Sequence, residues 1–297
     1  MKQVRAGYFM DSAEALPDLT GYDVLCIHDH EVHNKTSWLK DMRSTGLTIY
    51  HHKPACYWRD DWLTPGYGEH IVEYADKHGS WLEDDDGDLI SCGNCYVLDM
   101  RYTHGFWDEF SQITASYIDS LPFISDGLLL DCVWDNIPGR WGNREEHNKD
   151  WERGMKAFVH ALRNSMKSKV KVYGNGANTS RRLTGNMYEG WPWTWCGINN
   201  PNRNEYTMLY APYGVGWYNK FYREAPMYIP ASKGADLPGD NVYPQRTTAC
   251  VAYAAAYTPG AIVFENSGVV LEAIKHLKVA PRVKMMNTEG RRALWSR

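Results

Sequence analysis

The chain has 297 residues, 43% of them hydrophobic, and a formal net charge of -4. That is enough apolar material for one large core, and a barrel of about 250 residues with decorations would use the length. The charge provides no basic face, which excludes nucleic acid as an expected partner. No run approaches the roughly 18 apolar residues of a membrane span, so no membrane is expected.

Aromatics are skewed to 13 Trp and 20 Tyr against 7 Phe. Tyr and Trp pair an apolar face with a polar edge, which suits sugar rings as well as a protein core. The seven Cys are odd in number and scattered, which argues for reduced thiols rather than a disulfide framework. Cys92-x-x-Cys95 would be half of a zinc site, but no second pair stands nearby. Met1 to Tyr8 lack the apolar stretch of a cleaved signal. The expectation is a soluble protein, cytoplasmic or released by a non-signal route, for example within a phage particle or lysate.

In chain order, Val4 to Phe9 predicts a first strand, and Met10-Asp11-Ser12 leads to a short helical segment. Gly21 opens a second strand, Asp23 to Ile27, whose end is the polar run His28-Asp29-His30-Glu31-Val32-His33. Asn34 is a candidate N-cap for a helix that carries Trp38, Leu39 and Met42 on one stripe and closes at Gly46. Leu47 to Tyr50 predicts a third strand, ending in His51-His52-Lys53-Pro54. An excursion follows, with a loop holding Trp58 and Trp62 and a helix from Gly68 to His78. In the acidic stretch around Asp84-Asp85-Asp86-Gly87-Asp88 the glycine is misplaced for an EF-hand and the closing Glu is absent. A hairpin with an Asp-Gly tip is expected there instead. Tyr96 to Arg101 is extended, and a helix runs from His104 to Ser120.

Asp126-Gly127-Leu128-Leu129-Leu130-Asp131 is an unbroken apolar run between turn residues, the pattern of a strand buried on both faces. It is the fourth strand. A helix over 148–166 leads to strand five, Val170 to Tyr173, ending in Gly174-Asn175-Gly176. Strand six, Gly185 to Glu189, runs into Gly190-Trp191-Pro192-Trp193-Thr194-Trp195. After a helix near 204–210 come strand seven, Pro226 to Ile229, a small-residue helix from Ala249 to Tyr257, and strand eight, Ala261 to Phe264, ending in Glu265. The tail from Pro281 is polar and basic. Strands alternating with helices predict an α/β fold. The expected architecture is a (β/α)8 TIM barrel over 1–297 as a single domain, with an extended loop and hairpin insertion between strands 3 and 4.

In such barrels chemistry sits at the C-terminal strand ends. Those ends hold Asp131, Asn175, Glu189 and Glu265. Glycoside hydrolysis uses two carboxylates flanking the scissile bond, and Asp131 and Glu189, on non-adjacent strands, are the natural pair. Glu189, between Tyr188 and Trp191, has the more apolar setting and is expected to be the general acid. Asp131, near Asn136 and with Arg101 as a candidate partner, is expected to stay ionised as nucleophile or base. Trp58, Trp134, Trp191 and Trp193, with Trp141 and Trp195 beside them, are expected to form walls for sugar stacking. Asp135, Asn175, Glu265, His28 and His51 complete the expected substrate contacts, with His30 also a sugar-hydroxyl ligand. The expected partner is a carbohydrate substrate, with no cofactor and no metal.

The chief rival lies in His28-Asp29-His30, with His33 close and His51-His52 on the next strand end. A His-x-His at a strand end begins the metal site of amidohydrolase barrels, although there it lies on the first strand and here on the second. A non-catalytic carbohydrate-binding barrel is the third reading, since fold does not fix function.

Tyr96-Val97-Leu98-Asp99-Met100-Arg101, then a helix, then Asp126-Gly127-Leu128-Leu129-Leu130-Asp131-Cys132-Val133-Trp134-Asp135 resembles a pattern in TIM-barrel glycosidases. These are families around the endo-α-1,4-polygalactosaminidases and related hypothetical glycosyl hydrolases. Asn175-Gly176 and Met187-Tyr188-Glu189 are similar to their later strand ends. The resemblance covers residues 3 to 265 in order. It implies a (β/α)8 fold and an acid pair on Asp131 and Glu189. After the fourth strand those relatives often carry Asn-Val-Asp, where this chain has Cys-Val-Trp-Asp.

Overall fold

The computed structural model describes residues 4–10, 16–58, 68–92, 95–137, 145–175, 180–189, 222, 224, 226–230, 247–248, 250–252, 254–255, 258, 260–265 and 268–277. The start of the helical segment expected after Ser12, the expected helix near 204–210, the tail from Pro281, and Trp141, Trp191, Trp193 and Trp195 lie outside them, and residues 16–20 are not helical.

Eight parallel strands close into a barrel. They are β1 (Arg5–Met10), β2 (Val24–His28), β3 (Thr48–Pro54), β7 (Gly127–Asp131), β8 (Lys171–Asn175), β9 (Gly185–Glu189), β10 (Met227–Ile229) and β11 (Ile262–Glu265). Each pairs with its neighbours in that order, and β11 returns to β1. A three-stranded antiparallel sheet, β4 (Tyr57–Trp58), β6 (Cys95–Val97) and β5 (Ser91–Cys92), fills the insertion between β3 and β7. The expected hairpin is there: Glu83 bridges Leu89, and the Asp84 carboxylate accepts from the amides of Asp86 and Asp88. An Asp that satisfies its own turn is an ordinary Asx device and needs no cation.

Helices cover the wall. Among the described residues they include α1 (Asp29–Asn34), α2 (Thr36–Ser44), α3 (Gly68–His78), α4 (Phe106–Ser120), α5 (Glu145–Ser165) and α6 (Val269–His276). Apolar residues at helical spacing face inward: Phe106, Phe110 and Ile118 on α4, Trp151, Met155, Phe158 and Leu162 on α5. Phe110 and Phe158 stack across that pair at 5.0 Å. The helix start expected at Asn34 is displaced. Asn34 ends α1, and α2 begins at Thr36 with no capping side chain. Local bonds run on through the break: Lys35 N donates to Glu31 O and Thr36 Oγ1 to Val32 O, both at 3.0 Å. Helical bonding therefore starts one turn earlier than a cap at Asn34 would place it. Among the described residues no helix is long and apolar enough to cross a membrane.

The three leucines of β7 are fully buried on both faces. Leu128 and Leu130 join the core between sheet and helices, and Leu129 joins the core inside the barrel. Two aspartates brace the strand starts in the same way. Asp23 accepts from Ala6 N (2.9 Å) and Asp126 from Ile49 N (2.8 Å), each tying its strand to the preceding neighbour in the barrel. Gly127 leaves room for a ring: a Cβ there would lie 2.5 Å from Tyr50.

Gly154 on α5 is tighter still. A Cβ there would lie 1.7 Å from the Met100 carbonyl and 2.8 Å from Tyr102 N, backbone atoms that cannot rotate away. Gly154→Ala is expected to cost about 3 kcal/mol or more, measured as a lowered urea midpoint. A variant as stable as the wild type would show that α5 does not lie this close to the 100–102 backbone.

Candidate active site

Side-chain alternation decides what enters the barrel. Val24 and Cys26 of β2, Tyr50 of β3, Leu129 of β7 and Tyr173 of β8 form the inner core with Phe264. The next inward positions on β2, β3, β7 and β8 are His28, His52, Asp131 and Asn175, each the last residue of its strand except His52, beyond which β3 runs on to Pro54. Asn175 Nδ2 donates to Asp131 Oδ1 at 2.7 Å, and the Cys132 amide donates to the same oxygen at 2.8 Å. His52 Nε2 stands 3.6 Å from Asp131 Oδ2, and its Nδ1 is 3.1 Å from His28 Nε2. Phe9 presents its ring edgewise to both imidazoles. The ends of β3, β7 and β8 are laced by backbone bonds, Ala55 N to Asp131 O and Val133 N to Asn175 O, both at 3.0 Å.

Burial works against a charge on Asp131, but the His52 imidazole, the Asn175 amide and the Cys132 N–H outweigh it. The carboxyl is held below its usual range and is an anion at neutral pH. Cys132 holds that amide in place with a left-handed backbone, φ 59, a conformation that costs free energy in any residue with a Cβ.

A second polar cluster lies across the wall, on the outward face of β3. Asp29 Oδ1 meets His51 Nε2 at 2.5 Å and accepts from the Tyr117 hydroxyl at 3.0 Å, while Oδ2 accepts from Lys53 Nζ at 3.1 Å. Lys53 is fully buried, its ammonium over the rings of Tyr117 (4.9 Å) and Trp58 (5.5 Å). Burial pulls Lys53 down to about 8, with Asp29 opposing the drop. For Asp29 burial raises the pKa, yet Lys53 and His51 win and hold it far below the carboxylate range.

Of the residues expected from sequence, Asp131, Asn175 and His28 come together at the mouth, and His52 completes the group. His52 is the residue that sequence reasoning missed in favour of His51. The signal was present: if Tyr50 faces inward, so does His52, and His51 faces out. Glu265 also faces away from the mouth, accepting from Tyr22 Oη (3.1 Å) and from Val270 N at the start of α6 (3.2 Å). Trp58 is buried in the outer core. Trp134 leans on that core from the loop after β7, its carbonyl accepting from Trp151 Nε1 (3.0 Å), and Asp135 is buried beside it in sequence. Asn136 is exposed. Arg101 does not partner Asp131. Its guanidinium grips Asp99 through Nε and Nη2 at 2.5–3.0 Å, a fork the two-residue spacing makes local. Glu189 is the last residue of β9, paired in register with Ile229; its side chain, like that of His30, lies outside the described residues. Among the described residues no three His, Cys, Asp or Glu side chains are grouped to hold a metal ion.

Neither a protein-family model nor a curated protein matches the chain. Solved structures do. α-L-Fucosidase isoenzyme 2 from Paenibacillus thiaminolyticus aligns with 94% of this chain and 49% of its own at 10% identity, TM-score 0.58. α-N-Acetylgalactosaminidase NagBb from Bifidobacterium bifidum, as a quadruple mutant, aligns with 92% and 48% at 10% identity, TM-score 0.51. Aspergillus fumigatus Ega3 in complex with galactosamine aligns with 89% and 90% at 13% identity, TM-score 0.49. The chain spans about half the length of the first two, which are glycoside hydrolases by name. At these identities the likeness to the first two establishes the barrel fold.

The buried pair across the wall makes a stability prediction. Lys53→Met strands the Asp29 charge and is expected to cost about 3–5 kcal/mol, measured by urea unfolding at pH 7, with Asp29→Asn added to it recovering part of the loss. A lysine lowered from 10.5 to about 8 holds fewer protons folded than unfolded between those values. Its contribution to stability therefore rises with pH across that window, and the gap between wild type and Lys53→Met should widen from pH 8 towards 10. A gap that stays constant would mean that Lys53 titrates normally.

Proposed function

We propose that the chain is a glycoside hydrolase acting on an oligo- or polysaccharide, with Asp131 as nucleophile or base and Glu189 as general acid. The observation that carries the reading is the state of Asp131. It is a carboxylate kept ionised at the C-terminal mouth of a closed parallel barrel, where barrel enzymes keep their chemistry. Its Oδ1 is occupied by two donors, so Oδ2 is the oxygen that attacks an anomeric carbon or takes a proton from water.

Glu189 ends β9, two strands round the barrel from β7. Neighbouring strands are about 4.8 Å apart, so the two chain positions stand roughly 10 Å apart along the wall. Two acids on chain positions at that distance suit a scissile bond held between them. The glycosidases that share the fold support the same class.

The test is hydrolysis of a panel of oligosaccharides and aryl glycosides. On a substrate the wild type cleaves, Asp131→Asn is expected to lose turnover on every leaving group. Glu189→Gln is expected to lose about a hundred- to ten-thousandfold on sugar leaving groups, and much less on a dinitrophenyl glycoside, whose departure needs no proton. Full activity in both variants would sink the assignment. Tight binding of one glycan with no turnover would favour the non-catalytic carbohydrate-binding reading.

A further inference from the structure

The contact between His28 and His52 constrains protons more tightly than either residue does alone. Two imidazole nitrogens 3.1 Å apart need one hydrogen between them and cannot hold two. In the neutral pair, His28 Nε2–H donates to His52 Nδ1, and His52 Nε2–H points at Asp131. With one extra proton, His52 carries hydrogens on both nitrogens, and His28 accepts through Nε2 with its own hydrogen on Nδ1. A second extra proton would set two N–H groups head to head and break the contact.

Phe9 from β1 packs edgewise on both rings, and Asp131 from β7 supplies the negative charge on the far side of His52. Among the described residues the other titratable groups on the inner wall are Cys26, below His28 on β2, Tyr50, below His52 on its own strand, and Tyr173, below Asn175 on β8. Asp29, His51 and Lys53 lie across the wall, and Glu189 ends β9 beyond β8.

We infer that His28 and His52 act as one proton-holding couple that balances Asp131, taking up a single proton and keeping it while Asp131 is an anion. The equilibrium stands on the geometry alone; its part in turnover rests on the glycosidase reading. When Oδ2 bonds to the anomeric carbon and the glycosidic bond breaks, the leaving oxygen takes its proton from Glu189 and Asp131 becomes a neutral ester. The couple then releases its proton to solvent, and regains one when water restores the carboxylate. His52 is thus a positioning residue that matches charge to each stage of Asp131.

The test is a histidine nitrogen NMR titration of the whole chain, with the exposed His104 and His160 as internal references. In the wild type the two rings should gain one proton with a shared midpoint, and the second only well below it. In the near-isosteric Asp131→Asn, that midpoint should fall by about one pH unit or more. His28→Asn should turn His52 into a simple single-site titration with altered nitrogen shifts. Two independent protonations in the wild type, an unchanged midpoint in Asp131→Asn, or an unaltered His52 in His28→Asn would each overturn the inference. The spectra need no substrate, so a protein that shows the couple yet cleaves nothing overturns the hydrolase reading and sustains this one.

Discussion

Along β3 the pleat sends Tyr50 and His52 into the barrel, and His51 and Lys53 out of it. The mouth depends on that alternation. If the register of β3 against β2 and β7 slipped by one residue, His51 and Lys53 would face Asp131 and His52 would face the helices. A cation as strong as Lys53 beside Asp131 would form a closed salt bridge. The His52 imidazole, 3.6 Å from Oδ2, leaves the carboxylate available. The braces at Asp23 and Asp126 therefore matter at a distance, because they fix the strand starts that set the register at the strand ends.

The buried cluster behind the wall is the counterpart of the open one in front. Asp29 directly follows His28, and His51 and Lys53 flank His52, so each half of the cluster is covalently next to an imidazole of the mouth. Bonds from Asp29 to β3 and to Tyr117 of α4 hold the turn after β2 against both elements. A well-packed apolar cluster would hold the wall about as firmly. What the ionic one adds is direction, since a carboxylate with three partners admits few orientations of the turn that carries His28.

The barrel was legible in the sequence because each strand carries its own signal. Leu128-Leu129-Leu130 cannot be a surface segment, and the alternation of strands with amphipathic helices leaves few architectures. Strand ends were legible too, and Asp131 and Asn175 are the last residues of their strands as the sequence leads one to expect. What sequence reading left undecided was the face each end residue takes. His51 against His52 and Glu265 against Phe264 are choices of parity, and parity is settled by pairing with strands distant in the chain. Trp58 shows the same limit in another form. A tryptophan next to charged residues suggests a sugar platform, yet here its ring covers a buried ammonium. Composition counts aromatic rings without saying which of them meet solvent.

Cys132 carries the left-handed turn that aims its amide at Asp131. Backbone shape at that position acts as a filter on which amino acids evolution or a randomised library can place there. Gly and Asn adopt the turn at little cost, and a branched Val or Ile would swing the amide off the carboxylate even with every other contact intact. Drift at residue 132 is therefore governed by the direction of one N–H bond.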